Sequence, residues 1–319
     1  MYPKNNPTIT IAIPTFNRAS LLSQTIDSVL KQSYGNLEII VSDNCSTDNT
    51  GEVVAAYGDK RIAYFRQDEN LGMVGNWNFC LQHSTGAYFL LLSDDDLLEE
   101  KAIESLLLAF SDEAVVLSYS PVSYIDKDGV AMPGISLRAP LVEGGESFIA
   151  NSLLSKRVSF PAATLYRTNE ARRLGGYPAI GTATDLALHL MLAMQGRVAH
   201  NPAPLVRYRM HSQSLSYTEQ AIQSQASLVE WVRGESCPLK RFEAQVVAFS
   251  VNFIFRWGRF YALEGNRGNA DLALKLLQRV SPSTKWGVWF YLFNTPVFRG
   301  AGNIYAMAKQ WAKQLIYRR

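Results

Sequence analysis

Three consecutive carboxylates, Asp94, Asp95 and Asp96, follow the apolar run 87–92. Side by side they repel one another unless a cation or hydrogen-bond donors offset their charge. Oxygen ligands suit Mg²⁺ or Mn²⁺, and Mg²⁺ needs only one or two carboxylates when phosphate oxygens complete its shell. The competing reading is a helix start, with Ser93 or an aspartate capping a helix that begins near Leu97 and acids in its first turn. Asp43 follows a second apolar run, 37–41. It reads either as a turn or cap residue or as an acceptor for a base N–H or a ribose hydroxyl. A third polar set, Thr15-Phe16-Asn17-Arg18, comes after the run 8–13 and Pro14. His83, His189 and His200 read as ordinary helix or loop residues.

These sets need elements to position them. Residues 8–13 are a β-branched run that Pro14 should end. Residues 19–32 have helical spacing, with Leu22, Ile26, Val29 and Leu30 on one face. Strands are expected at 37–41, 61–65 and 87–92, and helices at 50–57 and 73–83. Continuous apolar strands separated by helices imply a parallel sheet covered on both sides. Right-handed crossovers then bring the strand C-terminal ends to one edge, where open α/β sheets bind ligands. All three polar sets fall at that edge. Beyond residue 120 the pattern is less regular. Asp126-Lys127-Asp128-Gly129 reads as a turn, 147–154 and 185–195 as helices, and 197–210 as strand pieces. From Ala221 the chain turns largely helical and aromatic, with a boundary near Tyr217.

Composition excludes several classes. The chain has 319 residues, 47% hydrophobic and 18% charged, which is ordinary globular composition. A net charge of +3 argues against nucleic acid as a partner. Residues 216–319 carry 14 basic and 6 acidic groups, a net of +8, leaving −5 for residues 1–215. Cys45, Cys80 and Cys237 form no zinc-type pair and read as reduced thiols. The N-terminus lacks a secretory pattern, and no apolar run is long enough to span a bilayer. A cytoplasmic location is expected. The dinucleotide fingerprint G-x-G-x-x-G and the Walker A motif are both absent. A sugar-1-phosphate nucleotidyltransferase would want a glycine-rich loop after the first strand, and an aspartate phosphatase would place its Asp-x-Asp there. Neither fits PTFNR.

The runs IAIPTFNR, EIIVSDNCSTDNT and NLGMVGNWNFCLQHSTGAYFLLLSDDD, in that order and spacing, resemble family 2 glycosyltransferases of the GT-A fold. A weaker match continues through TATDLALHL and VRYRMHSQSLS to about residue 215. The resemblance implies a Rossmann-like, mostly parallel sheet with helices on both faces, followed by a mainly helical C-terminal region. It implies an inverting, Mn²⁺- or Mg²⁺-dependent transfer from a nucleotide-diphosphate sugar, with a UDP-sugar favoured. Pro14, Thr15 and Asn17 match the nucleotide loop, Arg18 the basic residue beside it, and Asp43 the acid that reads the base. The family's Asp-x-Asp motif carries a further Asp. Here Ser93 takes the first position, so Asp94 and Asp95 form the central pair and Asp96 comes last. That leaves the metal ligand open between Asp95 and Asp96. Asp95 is favoured for the metal and Asp94 for the ribose. Asp185 matches the general base, with Thr184 where the family commonly has Glu; the alternative is a helix N-cap. Arg209 and His211 match a late Arg-x-His element that closes over the diphosphate, where the histidine is a metal or phosphate ligand.

The expected domains are a catalytic domain over 1–217, with a nucleotide half at 1–120 and an acceptor half at 121–217, and a helical region over 218–319. Retention of the aspartates and Asp185 argues against a non-catalytic carbohydrate-binding protein. The expected acceptor is a hydroxyl of a glycan or lipid-linked glycan, in surface polysaccharide synthesis. The basic, aromatic 218–319 region suggests peripheral contact with the inner face of the cell membrane; its alternative is homo-oligomer assembly.

Overall fold

The computed structural model describes residues 6–134, 138–211 and 218–282. In chain order the elements are β1 (Ile9–Thr15), α1 (Ala19–Leu30), β2 (Leu37–Asp43), α2 (Thr50–Ala55), β3 (Ile62–Arg66), α3 (Gly72–His83) and β4 (Tyr88–Leu91). They continue with β5 (Leu97–Leu98), α4 (Ala102–Leu107), β6 (Val115–Tyr119), β7 (Val122–Ile125), β8 (Ala131–Met132), β9 (Val142–Gly144) and α5 (Gly145–Leu153). Then come β10 (Thr164–Arg167), α6 (Thr168–Arg173), α7 (Thr184–Ala193), β11 (Arg197–His200), β12 (Val206–Arg209), α8 (Glu219–Arg233), α9 (Glu243–Leu263) and α10 (Arg267–Val280).

Chain contacts divide these residues between two compact units. The first draws on Met1–Ile149, Arg157–Ala179 and Thr184–Ser212, the second on Ala150–Lys156, Ile180–Ala183 and Gln213–Arg319. The first is built on a sheet ordered β3-β2-β1-β4-β10-β6-β11-β9. Pairing is parallel from β3 through β4 and between β6 and β11; β10 and β9 run the other way. Six strands therefore share a direction, and β4 and β6 end at the same edge. The isoleucines 9, 11 and 13 of β1 pack with Leu22, Ile26 and Val29 of α1 on one face. On the opposite face Ser42 of β2 donates to Asn76 Oδ1 of α3 at 2.6 Å. Helices thus cover both sides, as continuous apolar strands require.

The structure departs from two sequence expectations. Pro14 does not end β1, which runs on to Thr15 in register with Asp43. Even-numbered residues of β1 face β4, as shown by the Leu92 amide donating to the Ala12 carbonyl at 2.9 Å. The missing N–H of Pro14 therefore points past the end of β4 and forfeits no ladder bond. No helix begins near Leu97 either. Leu97 and Leu98 form β5, paired antiparallel with β12 in a second sheet ordered β5-β12-β7-β8. Burial of Leu98 and its pairing with Val206 override any cap at Ser93. The turn at 126–129 is as expected: the Asp126 carbonyl accepts from the Gly129 amide, and Gly129 has φ 85°.

The second unit packs α8, α9 and α10 around Ile222, Val229, Ile254, Ala273 and Leu277. Asn266 caps α10 by accepting from the Asn269 amide at 3.1 Å. Phe253, Phe255 and Trp257 line this core as partly buried residues. Among the described residues no helix is long and apolar enough to cross a membrane. Trp286, Trp289, Phe290 and the basic C-terminal stretch lie outside the described residues.

Candidate active site

The chain turns sharply after β4, and the Asp96 amide donates back to the Ser93 carbonyl at 3.2 Å. Asp94 and Asp95 occupy the centre of that turn. Asp94 Oδ2 accepts from the Thr15 hydroxyl at 2.7 Å, and its Oδ1 accepts from Arg18 Nη1 at 3.1 Å. The same Nη1 donates to Asp95 Oδ2 at 2.8 Å, where His211 Nε2 also arrives at 2.8 Å. Asp96 points inward and is 1% exposed; Oδ1 accepts from the Arg209 amide at 2.9 Å, and Oδ2 has no partner. Burial raises the Asp94 carboxyl to about 6, against the pull of Arg18. Burial, with Asp95 alongside, raises Asp96 well above the usual carboxylate range.

Arg209 is a brace for this turn. Its buried guanidinium donates to the carbonyls of Asp95, Asp126 and Lys127 and to Gln24 Oε1, at 2.9 to 3.4 Å. It thereby joins α1, the aspartate turn and the β7–β8 turn. Thr25 of α1 adds a bond to the Asp96 carbonyl at 2.9 Å.

Two strands over from β4, Asp43 ends β2 fully buried. Its Oδ1 accepts from the Ser46 amide at 2.8 Å and its Oδ2 from the Tyr64 phenol at 2.6 Å. The turn reading of Asp43 therefore holds, and each oxygen keeps a lone pair for a ligand donor. Burial and the Asp43 carboxylate push the Tyr64 phenol far above its ordinary range. Asn17 takes a left-handed conformation, φ 53°, and its Oδ1 accepts from the Thr47 amide at 2.7 Å. Asn44 ties the same edge to α3 by accepting from the Leu71 amide at 2.8 Å. Asp48 accepts from the Ala19 amide at the start of α1 and from the Thr50 amide at the start of α2. Tyr64, Arg66, Asn44 and Asp48 were not among the expected site residues. The polar run after Asp43 contained Asn44 and Asp48, whereas Tyr64 read only as part of the 61–65 strand, and Arg66, which donates to the Ser46 carbonyl at 3.0 Å, falls just after it.

The structure gathers Thr15, Arg18, Asp94, Asp95, Asp96, Arg209 and His211 into one cluster, with Pro14 and Asp43 at the adjoining strand ends and Asn17 on the loop after β1. Among the described residues Asp185 shares no hydrogen bond or ion pair with this cluster; it lies in the first turn of α7, where burial raises its carboxyl to about 6. It lies in the field of the Tyr177 phenol, which bonds Tyr166 at 2.7 Å and packs edge-on against Trp77 of α3. The three other histidines have ordinary surroundings. His83 stacks on Phe79, His189 meets the Ser159 hydroxyl at 2.9 Å inside the core, and His200 packs on Tyr119.

The donor set suits an oxygen-preferring divalent cation. Asp95 and His211 converge on one point, and the Asp96 Oδ2 is a buried oxygen without a partner. No group of three protein ligands is preassembled among the described residues, so phosphate oxygens would have to complete the shell.

A mostly parallel sheet with an acidic turn, a basic loop and a second buried acid along its carboxyl edge defines an α/β protein whose polar groups gather where such sheets bind ligands. Residues 10–171 match the model of Glycosyl transferase family 2, and the chain belongs to that family. It is 28% identical over 209 residues to the UDP-Glc:alpha-D-GlcNAc-diphosphoundecaprenol beta-1,3-glucosyltransferase WfaP of Escherichia coli, across 65% of this chain and 79% of that one. S. aureus TarS 1-349 in complex with UDP matches with a TM-score of 0.63 at 18% identity, over 86% of this chain and 81% of that one. The mannosyltransferase PcManGT from Pyrobaculum calidifontis, in complex with GDP-Man and Mn²⁺, gives 0.58 at 20% identity, over 99% and 87%. These structural likenesses carry the fold, which is the expected GT-A sheet with a helical region after it.

Proposed function

We propose that this chain is a metal-dependent, inverting glycosyltransferase. It moves a sugar from a UDP-sugar to a hydroxyl of a lipid-linked glycan in surface polysaccharide synthesis. The observation that carries the reading is the convergence of Thr15 and Arg18 from one segment and His211 from another on Asp94 and Asp95 of the turn after β4. The acceptor class is supported by the diphosphoundecaprenol substrate in the name of WfaP.

Asp43 takes the N–H of the base, with Phe16 and Leu71 offering exposed apolar surface beside it. Asp94 takes a ribose hydroxyl. Asp95 and His211, with Asp96 behind them, would hold Mn²⁺ or Mg²⁺, which when bound would supply positive charge beside the diphosphate. Arg18 offers further N–H groups to that diphosphate. Asp185 accepts the proton of the acceptor hydroxyl as its oxygen bonds the anomeric carbon. The bond from that carbon to the diphosphate oxygen breaks, and the electron pair leaves with the nucleotide. Residues 1–217 carry this chemistry, and 218–319 hold the enzyme at the inner face of the membrane.

A thermal-shift series with UDP, GDP and dTDP, each with and without Mn²⁺, tests the donor. A ligand of the folded state raises the melting temperature with the logarithm of its concentration over Kd. UDP with Mn²⁺ is expected to give the largest shift. A larger shift with GDP or dTDP reassigns the base, and none with any nucleotide removes the donor site.

A further inference from the structure

Arg18 is held in an unusual way. Its carbonyl accepts from the Leu21 and Leu22 amides, so its backbone begins α1. Its side chain reaches across to the aspartate turn and is 29% exposed. Both of its carboxylate bonds come from one nitrogen, Nη1. The guanidinium has five N–H donors. Those on Nε and Nη2 meet no protein acceptor among the described residues. One edge of the group therefore neutralises Asp94 and Asp95, and the other is open to an anion. The oxygen it grips, Asp95 Oδ2, is also the one that His211 reaches. A divalent ion bound through that oxygen, between Asp95 and His211, would share it with Arg18 Nη1. Two cations within a few ångströms repel strongly in a partly buried site.

We propose that Arg18 is an internal counter-cation that occupies Asp95 until a diphosphate draws its guanidinium away, so that metal capture depends on nucleotide. The inference rests on the metal-dependent reading of the site. The free enzyme keeps its acidic turn neutralised without an ion. An incoming diphosphate binds the open edge of Arg18, rotates the group off Asp95 and releases that oxygen to the metal. Nucleotide and metal then bind as a pair, each strengthening the other by the same factor. Arg18 acts here as a positioning residue, through its hold on Asp95.

The test is Mn²⁺ binding to the full chain, read from the loss of the free-ion electron paramagnetic resonance signal. It is made with and without UDP, on wild type and on Arg18→Gln. Wild type is expected to bind Mn²⁺ weakly alone and at least about tenfold more tightly with UDP. Arg18→Gln is expected to bind Mn²⁺ alone about tenfold more tightly than wild type, with the enhancement by UDP reduced by a similar factor. A merely structural role for Arg18 would weaken binding, so a gain is diagnostic. Unchanged or weaker Mn²⁺ binding by Arg18→Gln overturns the proposal. So does a wild type that binds Mn²⁺ equally with and without UDP, a result independent of the variant's folding. No Mn²⁺ binding by wild type even with UDP removes the metal-dependent reading itself, and the proposal with it.

Discussion

As the proposed base, Asp185 would serve catalysis at the expense of the fold. Burial raises its carboxyl from 3.8 to about 6, so the ionised form that a base requires is the form the folded chain disfavours. Below about pH 4 the group is protonated whether folded or unfolded, and its burial is harmless. Between about pH 4 and 6 the unfolded chain has lost this proton while the folded one keeps it, so stability falls across that window and levels off above it, where the folded protein carries the buried charge. Asp185→Asn is therefore expected to abolish transfer while leaving UDP–Mn²⁺ affinity within about threefold. It should also stabilise the protein at pH 7.5 by about 1–2 kcal/mol, with no gain at pH 4. The wild-type rate should decline below about pH 6, as the base takes up its proton. Calorimetry, melting curves and a pH–rate profile check these points. Lost nucleotide binding would move Asp185 into the donor site, and near-normal turnover would remove it from catalysis.

The aspartate turn is as much a product of its supporting elements as of its own residues. Arg209 ends β12 and joins four carbonyl-type oxygens from the aspartate turn, the β7–β8 turn and α1. Arg209→Met would bury those acceptors without a donor, and is expected to destabilise by about 3–5 kcal/mol. Urea unfolding measures this, and a change within about 0.5 kcal/mol would show the brace to be idle. That role was not legible in the sequence, where Arg209 read as a diphosphate ligand. Strands β1 to β4 of the main sheet were legible, because β1, β2 and β4 are apolar runs with polar residues at their ends, whereas β6, β9 and β10 of the same sheet were not. The second sheet was not, because Leu97–Leu98 and Ala131–Met132 are two-residue strands with no periodicity to read. Tyr64 was hidden for another reason. Its phenol reaches Asp43 only because β3 lies beside β2, a pairing set by topology.

Charge is divided unevenly over the whole chain, −5 for residues 1–215 and +8 for 216–319. Basic groups near anionic lipid contribute about 1 kcal/mol each at low ionic strength. Full-length protein is expected to sediment with anionic vesicles at low salt, less at high salt, and little with neutral vesicles. No pelleting with anionic vesicles, together with a stable oligomer by light scattering, would make 218–319 an assembly region instead. In the proposed reaction, metal held by the aspartate turn would assist departure of the nucleotide. The most direct test of this is UDP release from UDP-sugars by the full chain, with Mn²⁺, after EDTA and after Mn²⁺ is restored, beside Asp95→Ala. Release is expected with Mn²⁺, lost with EDTA, recovered on restoration, and reduced at least about 100-fold in Asp95→Ala. Equal release with and without EDTA, in wild type and variant alike, would contradict the account.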